Sequence, residues 1–583
     1  MPDYGTPPPP TDTVTLGGGA WNDPREPRRR RTWWYVGAGS IAAIALVVGG
    51  TVYAASKVGN DRDPGPAAGL PADTLAYAAV DLDPSMGQKI EAIKALRKFP
   101  AFTQGIKVDP TSDLRELFLK DALTGQGCDL QWDKGVSPWL GTDVGTAVVP
   151  TVSGGPQPVA ILAVTDEAAA TKDLPKLLSC MKAPAGFSVA HGWAIVASKT
   201  SIAQSVSSVA AGSSLADNAD FKTWTDRTGT PGVATFYAAP DAGAKLADSL
   251  DTLDLLGHGL SSFDTSSGSA SGSSRGGGMA PAAYVASRPS GPGNPMQGML
   301  GICPKALDGS GMSSQSPLSG SQLQMEKDQL KKLRGAAATL RFANSGFELQ
   351  TASGVEGAKA SAGTSGLATL PADTAIAAGF SGTGQSIDQF TDAFASSFTQ
   401  ECGGTPEKLW QAVEKLTGLA VPGDLDTLLG GGLTVSLSGS TDPEKLANGG
   451  PADLPAGIKL QGDPEKIAGV LAKLNLPGAQ QILATTQGDG VVAVGPDAAY
   501  RDELLKKGTL GDSKEFTDVV PHADQASAAL FVSFDNLQPI LASSAADVPS
   551  DVRDNLAHLR AFGESSWVDG QGIGHGLIRL STK

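Results

Sequence analysis

The same five residues, Leu-Pro-Ala-Asp-Thr, open two passages of this chain, "LPADTLAYAAVDLDPS" at Leu70 and "LPADTAIAAGFSGTGQS" at Leu370. The stretches that follow them also correspond in order, and this constrains the fold more than any other feature. "WLGTDVGTAVV" (Trp139 to Val149) matches "LLGGGLTVSLS" (Leu428 to Ser438). There Val144, Thr146 and Val148 fall opposite Leu433, Val435 and Leu437, the period-2 pattern of a strand with one buried face. "VAILAVTDEAAATKDLPKLL" from Val159 parallels "AGIKLQGDPEKIAGVLAKL" from Ala456, and in each a strand ends at an aspartate, Asp166 or Asp463, placed to cap a helix. "GWAIVASKTSIAQSV" from Gly192 and "GVVAVGPDAAYRDEL" from Gly490 again read as strand then helix. "SLADNADF" (Ser214 to Phe221) pairs with "TLGDSKEF" (Thr509 to Phe516), and the match continues without a gap to Phe236 and Phe531. Each copy closes in a hairpin, from Leu333 and from Leu559, whose turns carry Asn-Ser-Gly and Asp-Gly.

These correspondences predict a duplicated α+β unit with mostly antiparallel sheets covered by helices. The copies span 70–353 and 370–583, joined by a linker over 354–369. LPADT is read as each copy's entry. Pro71 and Pro371 fix the backbone before the first strand, and Asp73 and Asp373 with the adjacent threonines hydrogen-bond the turning backbone. The first copy is longer because of a Ser/Gly/Pro-rich insert, 261–320, expected to be a flexible excursion.

Location is read from "RRRRTWWYVGAGSIAAIALVVGGTVYAASK". No residue from Trp33 to Ala55 is charged, and as a helix at 1.5 Å per residue this stretch would span about 35 Å, enough to cross a bilayer. Arg28, Arg29, Arg30 and Arg31 precede it and place the N-terminus in the cytoplasm, while Trp33, Trp34 and Tyr35 suit the inner interface. A cleaved signal peptide fits less well, because the apolar run is long and Tyr53 spoils a small-x-small cleavage site. Residues 1–32 form a Pro/Gly-rich tail expected to be disordered, 33–55 the transmembrane helix and 56–69 a linker. Its "PPPP" run reads as a spacer, with a docking peptide in polyproline II form the less favoured alternative.

Everything beyond Lys57 is then extracytoplasmic, where disulfides are permitted. Cys128, Cys180, Cys303 and Cys402 make an even set with no CxxC and no zinc spacing. Three pairings are possible; Cys128–Cys180 is preferred as lying within one half, leaving Cys303–Cys402. The formal charge is −15. A surface of that sign repels phosphate backbones, so nucleic acid is not an expected partner.

"LPADTLAYAAVDLDPS", the "SLADNADF" and "TLGDSKEF" pair and the closing hairpins resemble the actinobacterial membrane-anchored proteins of domain-of-unknown-function family 3352. The resemblance covers nearly all of the chain after the anchor. It implies location and architecture and carries no catalytic residues.

Motifs for chemistry are missing. The histidines, His191, His258, His522, His558 and His575, show no metal-binding helical spacing, and no GxSxG elbow nominates a serine. "GTGQS" from Gly382 lacks the lysine of a phosphate loop, and "DRDPG" from Asp61 lacks the closing glutamate of a calcium loop. Asp81 and Asp83 are read as turn formers before a helix beginning near Gln88. No enzyme activity, cofactor or metal is expected. The leading expectation is an anchored interaction or scaffold module of the cell envelope, bound to the lipid bilayer through its helix and to an unidentified envelope protein. A carrier or sensor of a hydrophobic ligand such as a lipid is the alternative. An envelope hydrolase using remote residues ranks last.

Overall fold

The computed structural model describes residues 65–82, 86–98, 131–151, 154–180, 185–247, 330–343, 346–361, 364–382, 405–440, 454–474, 482–543 and 554–583, with a few positions between them. The tail, the membrane-span candidate 33–55 and the insert 261–320 lie outside these residues. Among the described residues no helix is long and apolar enough to cross a membrane.

The chain is α+β, and its strands form one antiparallel sheet rather than a separate sheet for each half. The first half supplies β1 (Ala76–Asp81), β2 (Leu140–Thr151), β3 (Gly154–Val164), β4 (Gly186–Ala190), β5 (Trp193–Ala197), β6 (Ala234–Ala238), β7 (Leu333–Ala343) and β8 (Gly346–Val355). The second supplies β9 (Thr374–Phe380), β10 (Leu433–Ser438), β11 (Ala456–Gln461), β12 (Thr485–Gly488), β13 (Val491–Val494), β14 (Ala528–Ser533), β15 (Leu559–Val568) and β16 (Ile573–Thr582). The 16 strands run β12-β13-β11-β10-β9-β14-β15-β16-β8-β7-β6-β1-β2-β3-β5-β4. Read inward from either end, the order is the same, and the last strands of the two halves, β8 and β16, pair with each other at the centre.

Helices cover both faces. Helix α1 (Met86–Leu96) packs on β7 and β8; it starts two residues before Gln88, whose side chain bonds both backbone groups of Phe342. On one face, here the front, α2 (Thr200–Gly212) and α3 (Ala219–Asp226) close a core around Tyr77, Ala147, Ile161, Ile195, Tyr237 and Trp224. In the second half α4 (Ala498–Leu504) and α5 (Lys514–Val519) do the same around Ala377, Phe531, Ala561, Tyr500 and Phe516. On the back face, the helix Glu167–Cys180 packs Leu174 and Leu178 against Ala160 and Val196, and the helix Pro464–Leu471 packs Ile467 against Leu460 and Val492. Asp166 accepts from the Ala169 amide and Asp463 from the Glu465 and Lys466 amides, so each aspartate caps the helix after its strand.

Both LPADT segments make the same turn. Thr74 Oγ1 donates to Pro71 O at 2.6 Å and Thr374 Oγ1 to Pro371 O at 2.7 Å. The Leu70 and Leu370 carbonyls accept from the Leu215 and Leu510 amides, which ties each turn to the short 3-10 turn before α3 or α5. The threonines therefore do the work expected of the Asp-Thr pair. Asp73 is exposed, and the Asp373 carboxylate accepts from the Ser438 and Ser440 hydroxyls instead of from the turn.

Two assignments of side chains to faces are overturned. On β10 the buried positions are Thr434, Ser436 and Ser438, at 1–3% exposure, while Val435 is 42% exposed. The hydroxyls can be buried because each has a partner: Thr434 donates to Ser365 O, Ser436 accepts from Tyr500, and Ser438 donates to Asp373. In the matching β2, Val144, Val148, Ala147 and Val149 are all buried, so that strand is covered on both faces. The gapless match of Phe236 with Phe531 also fails. Tyr237, not Phe236, pairs with Tyr77 and enters the front core, whereas Phe531 pairs with Ala377 and does so. A slip of one residue before β6 moves every side chain to the opposite face.

Candidate functional site

A group of charged and aromatic side chains lies together on the front face of the central strands, where the halves meet. Strand pairing sets them in rows. Arg341 lies opposite Glu348, and Glu348 opposite Arg579; next come Thr339, Gln350 and Leu577; then Ala337, Ala352, His575 and Trp567.

The first row is a buried ion cluster. Arg341 and Glu348 side chains are 7% and 6% exposed and are hydrogen-bonded to each other. Arg579 Nε donates to the second Glu348 oxygen at 2.6 Å. Each arginine also reaches the C-terminal end of a helix: Arg341 donates to Thr228 O, just after α3, and to Gln350 Oε1 at 2.9 Å, while Arg579 Nη1 donates to Asp518 O in α5 at 3.0 Å. Cations beside the last carbonyls of helices are favourably placed. The glutamate thus holds one arginine from its own hairpin and one from the other half.

The third row is aromatic. His575 stacks on Trp567, with centroids 5.2 Å apart and planes 17° apart, and His522 tilts against the same indole at 4.9 Å. His575 Nε2 lies 3.0 Å from Asp569 Oδ2. The other Asp569 oxygen accepts the Gln571 and Ile573 amides within the β15–β16 turn. The hydrogen bond from His575, helped by these amides against partial desolvation, holds the Asp569 carboxyl below the usual carboxylate range. The carboxylate is therefore occupied by the turn and by one imidazole. Among the described residues no serine hydroxyl is bonded to His575.

A crevice beside the first row, lined by Ala343, Phe347, Glu348, Asp518, Arg579 and Ser581, has about 10 Å³ of free space, the room of a single water. What this arrangement offers chemically is cohesion between two halves: a charge cluster with its carboxylate satisfied from both sides, and an imidazole fixed in orientation.

The residues singled out from sequence are scattered relative to this junction. Arg28 to Arg31, Trp33, Trp34, Tyr35, Cys128, Cys303, Cys402 and His258 lie outside the described residues, and so does any disulfide pairing; Cys180 is the last residue of its back-face helix. His191 sits at the tip of the β4–β5 turn with φ 56°, followed by Gly192 at 77°, a left-handed pair suited to a tight hairpin. His522 and His575 do come together, through Trp567. Among the described residues no group of three His, Cys, Asp or Glu side chains could hold a metal ion. Arg341 and Glu348 were missed, although hairpin register carried a signal: counted outward from the Asn-Ser-Gly turn they fall opposite one another, in phase with buried Thr339 and Ala337.

No family model, curated protein or solved structure matches the chain.

Proposed function

We propose that this chain is a single-pass, membrane-anchored extracytoplasmic protein whose duplicated α+β unit serves as an interaction or scaffold module of the bacterial cell envelope. The observation that carries this reading is the strand order, the same in both halves and continuous across them. At about 4.8 Å per strand, such a sheet is roughly 70 Å across. It offers extended surface for contact with a partner. The water-sized crevice at the junction favours protein contact over carriage of a lipid there. The uncharged run 33–55 behind four arginines supplies the anchor, and the net charge of −15 keeps the exposed part soluble. The family 3352 resemblance belongs to the same proposal.

The test is native mass spectrometry of residues 58–583, released from the protein's own membranes by a protease site placed after Lys57, together with in-cell crosslinking. A bare polypeptide mass with a reproducible crosslinked envelope protein supports the scaffold. A persistent extra mass of lipid size refutes it in favour of a carrier. Release of the domain from the cytoplasmic side would refute the topology.

A further inference from the structure

Among the described residues, the front-face clusters of buried apolar side chains belong to one half or the other, and Leu577 of β16 is buried at the centre of the junction. The front core of the first half draws its buried residues from Ala67 to Ala352, and that of the second from Leu367 to Ala561. Among the described residues, Ile573 of β16 crosses and packs against the first core. The back-face clusters described also stay within one half each. Yet the two halves are joined by a full strand pairing of eight residues, Ile573–Leu580 against Gly354–Phe347. Among the described residues, side-chain bonds across it are the Glu348–Arg579 ion pair, Thr351 Oγ1 to Gly576 O at 3.5 Å, and Lys98 Nζ to Thr582 Oγ1 at 2.9 Å and to the Lys583 carbonyl. The linker is fastened to the second half from Ser361 onward: Ser361 is bonded to Val568 and Ser527, and Ser365 N to Ala526 O.

A junction with a complete ladder and, among the described residues, little apolar core shared between the halves should open as a unit. Buried apolar area is what makes opening expensive, and regions that lack it open at lower free energy than the cores they join. The geometry points to a conformational device: the β8–β16 seam parts while each half stays folded, and Arg579 on Glu348 is its latch. Glu348 keeps Arg341 when the seam opens, because both belong to the β7–β8 hairpin, so opening strips one partner and leaves no isolated buried carboxylate. The released edges, β8 and β16, would each present a long strand for pairing. This inference stands whether or not the chain is anchored in a membrane.

The experiment is hydrogen exchange read by mass spectrometry on the full chain, comparing β8 and β16 with β1, β6, β9 and β14. The seam strands should exchange at least about tenfold faster than the strands inside either half, through an opening that spares those strands. Arg579→Gln should speed the seam a further ten- to hundredfold, roughly the value of a hydrogen bond to a charged group, and leave β1, β6, β9 and β14 unchanged. A second variant works from the opposite direction. Leu349 and Ile578 are direct partners across the seam, and an oxidised Leu349→Cys/Ile578→Cys staple should slow seam exchange alone. Seam strands that exchange as slowly as β9 and β14, a staple without effect on them, or an Arg579→Gln change that accelerates every strand together would overturn the proposal.

Discussion

Glu348→Gln is the most informative single substitution, because it keeps the shape of the buried cluster and removes its only anion. In the native protein the carboxylate neutralises Arg341 and faces Arg579, and both Glu348 and Arg341 are almost fully buried. At an effective dielectric of about 20, each charge pair at 4 Å is worth about 4 kcal/mol before desolvation is counted. Desolvating the carboxylate takes back several kcal/mol, so the cluster as a whole contributes little net stability. Glutamine recovers none of the Coulomb term. It leaves two arginines facing each other, and its own NH₂ points a donor at donors. Breaking a buried pair in this way costs about 3–5 kcal/mol. The assay is urea denaturation of the soluble region, reading the midpoint at constant slope. The apolar replacement Arg341→Met/Glu348→Leu/Arg579→Met should cost far less than the single change, since no charge remains stranded. A loss below about 1 kcal/mol for Glu348→Gln, or a triple variant as unstable as the single one, would refute the reasoning.

Tyr500, buried in the second core and donating to Ser436 at 2.8 Å, has its phenol pushed up to about 12 by burial. Its contribution should be complete below the unfolded value of about 10 and be lost as pH rises from there through the folded value, while Tyr500→Phe should cost about 1 kcal/mol at pH 7 and flatten that alkaline limb. Asn218 accepts the Phe221 amide at the start of α3 and donates to Ala72 O in the LPADT turn, so Asn218→Ala should lower stability by about 1–2 kcal/mol in the same denaturation assay. For Asp569, whose carboxyl is held low by His575, stability is present above the unfolded value of about 3.9 and lost as pH falls through the folded value. Wild type should therefore exceed Asp569→Asn at pH 6, with the gap closing below about pH 4; a gap independent of pH would exclude the carboxylate as its source.

How far the fold could be read from the sequence depended on the range of the information. Local signals were reliable: the caps at Asp166 and Asp463, the hairpins around Asn344-Ser345-Gly346 and Asp569-Gly570, and the antiparallel α+β class all rest on neighbours within a few residues. Alternation on β10 was visible, but which set faced inward was not. Hydrophobicity chose Val435, and the structure chose Thr434 and Ser436, whose hydroxyls are satisfied by Ser365 and Tyr500 from remote segments. The Phe236–Phe531 match failed for a related reason, since identity in a strand does not reveal a one-residue slip in the loop before it. The seam was least legible. Glu348 and Arg579 are 231 residues apart, and nothing local to either names the other.

The seam also explains why its rows differ. Gln350 and Leu577 pair at its centre, with Glu348 and His575 each two residues before them and Ala352 and Arg579 each two after. Glu348 thus corresponds by position to His575, and Ala352 to Arg579. Were β8 to pair with another β8 about Gln350, Glu348 would face Ala352 and keep only Arg341 of its own hairpin. Were β16 to pair with another β16 about Leu577, Arg579 would face His575. Only the mixed pairing sets Glu348 against Arg579. A single charged row, neutral in net stability, therefore penalises both like pairings by the loss of the Glu348–Arg579 contact, about 1.5–3 kcal/mol for a hydrogen bond between charged groups. Charge placed on one side of a near-symmetric seam selects β8 for β16, and backbone pairing, which is blind to sequence, has no means of making that choice.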